Sequence, residues 1–251
     1  MKFTLITTTY NSGTTLRDTF SSVLRQSFTD MEYIVVDGAS TDDTLDIIKE
    51  YETRFEGRMK WVSGRDRGLY DAMNKGLEMA TGEIVGFLNS DDYFTSDDIL
   101  EKVAEKFEEN PSLDAVYGDV HYIKPGDPAR CVRYYSSKDF TRSRMRRGFM
   151  PAHPSFYAKR SCYEQFGCFE TDYKICADFE LLLRFIYVRQ IRIKYIPLDM
   201  VTMRMGGVST SGLKSHVCIM KEHLRACRKN NVPTHFLLLL TRYFTKLKEL
   251  K

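Results

Sequence analysis

Asn89-Ser90-Asp91-Asp92 places two adjacent carboxylates and a carboxamide directly after the apolar run Ile84-Val85-Gly86-Phe87-Leu88. Asp91 and Asp92 can hold a hard divalent cation through oxygen, and Mn²⁺ or Mg²⁺ bound this way keeps positions open for phosphate oxygens. The chemistry implied is neutralisation of charge on a departing diphosphate. The same pair also suits a solvated turn before a helix N-terminus, where acids are favoured. Other polar residues hold equivalent places. Thr8, Tyr10 and Asn11 stand at the end of the β-branched run Phe3 to Thr9, and Asp37 closes Tyr33-Ile34-Val35-Val36.

The elements that must position these residues alternate between two periodicities. Strands are expected at Phe3–Thr9, Tyr33–Val36, near Lys60-Trp61-Val62, and at Ile84–Leu88. Helical patterns lie between them. One carries Leu16, Phe20, Val23 and Leu24, and another carries Leu45, Ile47 and Ile48 behind a cap at Ser40 or Thr41. A third presents Leu69, Met73, Leu77 and Ala80, and a fourth, capped by Ser96, carries Ile99, Leu100, Val103 and Phe107. Strands alternating with helices imply a mostly parallel sheet covered on both faces, with ligands beyond the carboxyl ends of the strands. The polar residues named above gather at those ends.

The second half is less regular. A long strand is expected from Ala115 to Ile123, a turn at Lys124–Pro128, a basic loop over 136–150 and a helix from Ala177 to Val188. Residues 205–212 read as a glycine-containing loop. His153 and Arg204 are candidates for contact with an acceptor or a diphosphate. Arg204 with Gly206-Gly207 suits a lid, and a bare connection fits as well; for His153 a structural role is the alternative. The expected organisation is 1–120 as a ligand-binding part, 121–231 as a further part of the same core, and 232–251 as a C-terminal amphipathic helix.

Of the 251 residues, 1–120 carry 12 Lys/Arg against 24 Asp/Glu, whereas 121–251 carry 25 against 10. An acidic half suits a metal site, and a basic half suits an anionic lipid or a membrane surface, unless the two simply attract each other. Arg142, Arg144, Arg146 and Arg147 cluster, and Phe236 to Leu240, Tyr243, Phe244 and Leu247 are interleaved with Arg242, Lys246, Lys248 and Lys251. That tail fits a helix lying on a membrane, or one docked on protein. No apolar run is long enough to span a bilayer. Met1-Lys2-Phe3-Thr4 runs straight into a strand, so no signal peptide is expected. The six cysteines, none in a C-x-x-C pair, are expected to be reduced thiols in the cytoplasm. No nucleic-acid-reading motif, P-loop or G-x-G-x-x-G occurs, which argues against nucleic acid as a partner and against dinucleotide binding.

Four blocks, in order, resemble the inverting GT-A glycosyltransferases of family 2, of the bacterial surface-glycan type. They are Thr7-Thr8-Thr9-Tyr10-Asn11, Val35 to Asp42, Asp66 to Gly76, and Gly82 to Asp92. A shorter match, Ala177-Asp178-Phe179-Glu180-Leu181-Leu182-Leu183-Arg184, resembles the family's acidic helix start. The resemblance implies a GT-A fold: an α/β, Rossmann-like, mostly parallel sheet flanked by helices, with a smaller acceptor-binding part. It implies that Thr8, Tyr10, Asn11, Asp37, Asp66, Arg67, Asn89 and Ser90 surround a nucleotide, with Tyr10 against the base and Asp37 bonding a base such as uracil. Asp91, with Asp92, would bind Mn²⁺ or Mg²⁺, and Asp178 would be the catalytic base. The reaction implied is inverting transfer from a UDP-sugar to a glycan or lipid-linked acceptor, at the inner face of the membrane. The family often has Asp where this chain has Asn89; Asn keeps an oxygen acceptor but loses a charge. Residue by residue, alternatives stand beside these roles. Tyr10 suits a core aromatic, Asp37 an Asx turn, Asp66 with Arg67 an exposed ion pair, Asn74-Lys75-Gly76 plain helix surface, and Asp178 a first-turn acid. At the level of the whole chain, a nucleotidyltransferase and a non-catalytic nucleotide-sugar-binding subunit are the competing readings.

Overall fold

The structure, a computed structural model, describes residues 1–124, 126–206 and 212–246. Four parallel strands form its first half: β1 (Phe3–Thr9), β2 (Met31–Asp37), β3 (Met59–Ser63) and β4 (Ile84–Phe87). Helices α1 (Leu16–Leu24), α2 (Thr44–Arg54) and α3 (Leu69–Met79) connect them. The second half holds β5 (Tyr93–Phe94), α4 (Ile99–Glu109), β6 (Ala115–Lys124), β7 (Asp127–Tyr135), β8 (Phe156–Lys159), α5 (Arg160–Phe166), α6 (Ala177–Leu182), β9 (Ile193–Arg204), α7 (Gly212–Lys229) and α8 (Phe236–Lys246). One sheet runs β3-β2-β1-β4-β8-β6-β9-β5, with β7 paired to β6. The parallel arrangement expected from the alternating pattern holds from β3 to β4. Beyond it, β8 is antiparallel to both neighbours and β9 returns parallel to β6. The strand β6 passes straight through residue 120, so the sheet is continuous across that point.

Successive side chains on a strand point to opposite faces, and the two core clusters follow that rule. Ile6, Ile34, Val36, Val85 and Phe87 face one side, packed by α3, α5, α6 and α7. Phe3, Leu5, Tyr33, Val35 and Ile84 face the other, packed by α1, α2 and α4. Phe20 on α1 meets Tyr33 edge-on at 5.7 Å, and Tyr33 lies 5.1 Å from Phe55. Each such ring contributes roughly 1.5–3 kcal/mol by burial. Gly86 has no side chain because Tyr157 fills that space: a Cβ there would stand 2.3 Å from the Tyr157 ring.

At the amino ends of the strands, buried Glu32 gathers the Thr4 hydroxyl (2.7 Å), Thr81 N–H (2.6 Å), Thr81 hydroxyl (2.9 Å) and Gly82 N–H (3.1 Å). Burial alone would raise its carboxyl; these donors and Lys60 overcome that and bring it down to about 2.

Several local expectations are corrected. The caps are Asp43 for α2 and Asp98 for α4; Ser96 bonds the Asp98 carboxylate instead, and Ser40 turns towards Asp37. Leu69 is exposed, and α3 buries Tyr70, Met73 and Leu77. The expected loop at 136–150 contains a 3₁₀ helix, Arg142–Arg147, that buries Met145 completely. The expected turn at 124–128 is present but shorter, since Lys124 already pairs with Asp127 as antiparallel β6 and β7 meet; Pro125 lies outside the described residues. The helix expected from Ala177 to Val188 is α6 followed by a wider π-type segment, Leu183–Val188.

Candidate active site

Tyr10, 65% exposed, stands where β1 ends. Asn11 takes a left-handed conformation (φ 49°), which Asn tolerates better than most residues. Its N–H donates to Ser40 Oγ (2.8 Å) and its Oδ1 accepts from Thr41 N–H (2.9 Å), which ties the β1 loop to the β2 loop. Thr8 is buried. Asp37 is completely buried: Ser40 N–H (3.1 Å), Ser40 Oγ–H (2.5 Å) and Ser63 Oγ–H (2.6 Å) all donate to it. Ala39 between them is also left-handed, at φ 63°. That conformation costs a residue with a Cβ roughly 1–2 kcal/mol, and the Asp37–Ser40 bonds hold it. Asp37 is therefore an Asx-type organiser of this loop, and its carboxylate does not face solvent.

The open side of that loop is built around Gly38. A Cβ on Gly38 would lie 3.3 Å from Asp66 Oδ2 and 3.4 Å from Tyr10 Cδ2. An aromatic ring and a carboxylate thus both approach the Gly38 backbone closely, leaving little clearance even for a methyl group. Asp66 and Arg67 do not pair with each other. Asp66 is bound by Lys75, and Arg67, 80% exposed, pairs with Asp71 at 2.7 Å. The segment expected to be plain helix surface is engaged throughout: Asn74 exchanges two hydrogen bonds with the Phe169 backbone (2.8 and 3.0 Å), and Gly76 packs on Ile6.

At the end of β4, Asn89 Nδ2–H donates to Asp92 Oδ2 at 2.9 Å. Helix α1 holds the loop from beside. Thr15 and Thr19 hydroxyls donate to the Ser90 carbonyl (2.9 and 3.0 Å), and Thr19 also meets the Asp92 carbonyl (2.7 Å). Ser12 Oγ lies 2.8 Å from Ser90 Oγ and joins the β1 and β4 loops. Burial raises the Asp91 carboxyl. Burial, then the Asp91 charge, holds Asp92 well above the usual carboxylate range. Arg204 is already committed: its guanidinium donates to the Asp91 carbonyl (2.6 Å) and to Asp18, and sits 5.0 Å over the Tyr93 ring. It braces the loop from behind. Gly206 is left-handed, and residues 207–211, expected to form the rest of a lid, lie outside the described residues.

Asp178 opens α6, half-buried, with its Oδ1 accepting the Phe179 N–H at 2.7 Å. Burial pushes its carboxyl up to about 6, against the hydrogen bonds from Phe179 and its own backbone. Tyr70, in the first turn of α3 after Asp66, donates its hydroxyl to the Ile175 carbonyl and feels the Asp178 charge. That contact brings Asp178 towards the carboxyl ends of the parallel strands, where α3 begins. His153 is not at this surface. It is buried between Phe87 (5.2 Å) and Phe169 (5.5 Å), and desolvation lowers it to about 4, so it is a neutral packing residue.

Residues 4–167 match the sequence model of glycosyl transferase family 2. The chain belongs to that family. A PGL/p-HBAD biosynthesis glycosyltransferase of Mycobacterium bovis is 32% identical over 182 residues, 72% of this chain and 68% of that protein. Among solved structures, S. aureus TarS 1-349 in complex with UDP-GlcNAc superposes with a TM-score of 0.74 at 22% identity, over 98% of this chain and 73% of that one. A longer TarS crystal structure is covered over only 43% of its length. The mannosyltransferase PcManGT from Pyrobaculum calidifontis, in complex with GDP-Man and Mn2+, gives 0.65 at 22% identity, over 89% and 64%. At these identities the structural likeness speaks for the GT-A fold.

Within this glycosyl transferase family 2 chain, the Asp91–Asp92 loop fits a divalent cation. Two adjacent carboxylates are withdrawn from water; the nearby Arg204 charge offsets this only in part, and among the described residues no side-chain ion pair to either is formed. A positive ion there would offset their mutual repulsion. No three His, Cys, Asp or Glu side chains converge into a protein-only metal site among the described residues. Binding by one or two carboxylates plus substrate phosphates is the habit of Mg²⁺ and similar hard ions. Sequence reasoning missed Ser12, Thr15, Thr19, Gly38 and Lys75. The Thr15/Thr19 pair, one helical turn apart at the start of α1, was a readable signal, and Gly38 and Lys75 lie inside the family-resembling blocks Val35 to Asp42 and Asp66 to Gly76.

Proposed function

We propose that this glycosyltransferase moves a sugar from a UDP-sugar to a hydroxyl of a lipid-linked or oligosaccharide acceptor, with inversion, divalent-metal assistance and a role in surface polysaccharide synthesis. The observation that carries the reading is the Tyr70–Ile175 contact, which sets a carboxyl pushed up to about 6 beside the nucleotide-facing strand ends. A base of that pKa is largely ionised at neutral pH and still a fair proton acceptor. Tyr10, Gly38 and Asp66 would receive the base. Asp91 with Asp92 would hold Mn²⁺ or Mg²⁺, oriented by Asn89, and the ion would supply charge neutralisation at the leaving diphosphate. Asp178 removes the proton of the acceptor hydroxyl as its oxygen attacks the anomeric carbon from the face opposite the leaving group. A single displacement inverts that carbon. The complexes of TarS with UDP-GlcNAc and UDP support UDP as carrier, and that of PcManGT with GDP-Man and Mn2+ supports a metal.

The acceptor-binding part is assigned to residues 121–231. Helix α8 presents Phe236 and Leu237 outward, 52% and 68% exposed, while Leu239 is buried. Arg146 Nε donates to the Pro233 carbonyl (2.7 Å) and Thr234 Oγ1 donates to the Arg146 carbonyl (2.6 Å), which joins α8's approach to the arginine cluster. Apolar residues beside cations favour a peripheral seat on the inner, anionic leaflet. Residues 247–251 lie outside the described residues, and among those described no helix is long and apolar enough to cross a membrane. The test is a calorimetric titration of UDP with Mn²⁺, Mg²⁺ or EDTA, on the native chain and on Asp91→Ala. Metal-dependent binding lost in Asp91→Ala is the expected result. No UDP binding under any condition removes UDP as the carrier.

A further inference from the structure

Asp178 sits in the first turn of α6, which runs on without a break into the π-type segment Leu183–Val188, and the segment before it has no regular structure. What holds that segment is α7, which follows it in sequence by more than thirty residues. The buried Glu222 carboxylate accepts three consecutive backbone N–H groups, from Lys174 (2.7 Å), Ile175 (3.0 Å) and Cys176 (2.9 Å). One turn on, Arg225 binds the Asp172 carboxylate and stacks 4.3 Å over Tyr173. Two turns on, Lys229 reaches Glu170 (2.7 Å) and Asn230 reaches Glu180 (3.0 Å). These contacts share one helix face by their spacing. Arg225 also donates to the Asp172 carbonyl (3.2 Å), but of these side chains Glu222 alone accepts backbone N–H groups, and it does so at the three residues immediately before α6.

We propose that Glu222 is the positioning residue of the Asp178 base: by gathering the N–H groups of 174–176 it fixes the turn that aims the Asp178 carboxylate at the acceptor hydroxyl. This rests on the reading of Asp178 as the base. Glu222 also acts on the base through space. The charged and titratable groups facing Asp178 are Glu222 on α7, Arg242 on α8, Tyr70 on α3 and Cys176 in its own turn. Glu222 raises the Asp178 pKa and Arg242 lowers it. Arg242 is held 2.8 Å from His223, which stacks at 3.9 Å on Phe179, so its place is also set by α7.

The experiment compares the native enzyme with Glu222→Gln and Asp178→Asn, measuring kcat against pH, UDP affinity and thermal melting. Glu222→Gln keeps the size and one acceptor oxygen but loses the charge. The expected result is a kcat lower by roughly ten- to a hundred-fold, as for a misplaced catalytic group. UDP affinity stays within about twofold, and the acid limb of kcat moves to lower pH because the charge that raised Asp178 is gone. A purely structural Glu222 would change melting and leave that limb in place. An unmoved acid limb in Glu222→Gln, with Asp178→Asn inactive, overturns the role of Glu222 and leaves the base assignment standing. Near-native turnover in Asp178→Asn overturns both.

Discussion

Asn89 Nδ2 donates to Asp92 Oδ2 across 2.9 Å, so the carboxamide that replaces a charge at this position holds its neighbour instead of adding to the ligand charge. Asp92 is buried, and its carboxyl is already raised by burial and by Asp91. Asn89→Asp removes the donor and sets a third carboxylate against two. Without added metal, the variant should lose several kcal/mol of stability, the scale of an uncompensated buried charge. Mn²⁺ should restore most of the loss. Melting curves with EDTA and with Mn²⁺ check this; equal melting of variant and native chain in EDTA would remove the proposed repulsion.

The raised Asp178 carboxyl carries a pH prediction. The base works deprotonated, so kcat should fall as pH drops through about 6. Asp178→Asn should lower kcat by roughly 10²–10⁴-fold, the usual worth of a general base, and leave UDP binding unchanged. A transfer assay over pH 4.5–8 together with the UDP titration reads both.

Glu32 is the complementary case, a carboxyl held low. Its carboxyl, held down to about 2 in the folded chain, lies below the ordinary glutamate value of 4.5. It therefore contributes stability that is fully present above about 4.5 and is lost as pH falls through about 2. Glu32→Gln should cost about 3 kcal/mol at neutral pH and much less near pH 3. Urea unfolding at the two pH values makes the comparison, and a loss that does not shrink on acidification would contradict the assignment.

For the surface role of α8, Phe236→Ser with Leu237→Ser removes apolar contact without touching buried Leu239. Each lost side chain should weaken binding to anionic vesicles by roughly 1–2 kcal/mol. Sedimentation with phosphatidylglycerol vesicles, with neutral vesicles as reference, measures it. Equal sedimentation of variant and native chain would place this face against protein.

What could be read from the sequence was whatever is local to one strand or helix. The β-branched runs before Tyr10, Asp37 and Asn89 are strands because their side chains fit a pleated, buried surface, and an α/β sheet brings strand ends to one edge wherever the strands pair. The fold and the placing of Tyr10, Asp91 and Asp92 at strand ends were legible for that reason, whereas the family and Asp66 were legible only through the four motif blocks. Tertiary structure alone decided which polar atoms are already satisfied. Asp37 is consumed by Ser40 and Ser63, Arg204 by the Asp91 carbonyl and Asp18, and His153 by its two aromatic neighbours. It also decided the environment of Asp178. Glu222 lies 46 residues from Cys176 in the chain, on a helix whose own pattern says only that one face is apolar. Hydrogen bonds and desolvation depend on which surfaces meet in space, and no periodicity within a segment encodes the partner across such a separation.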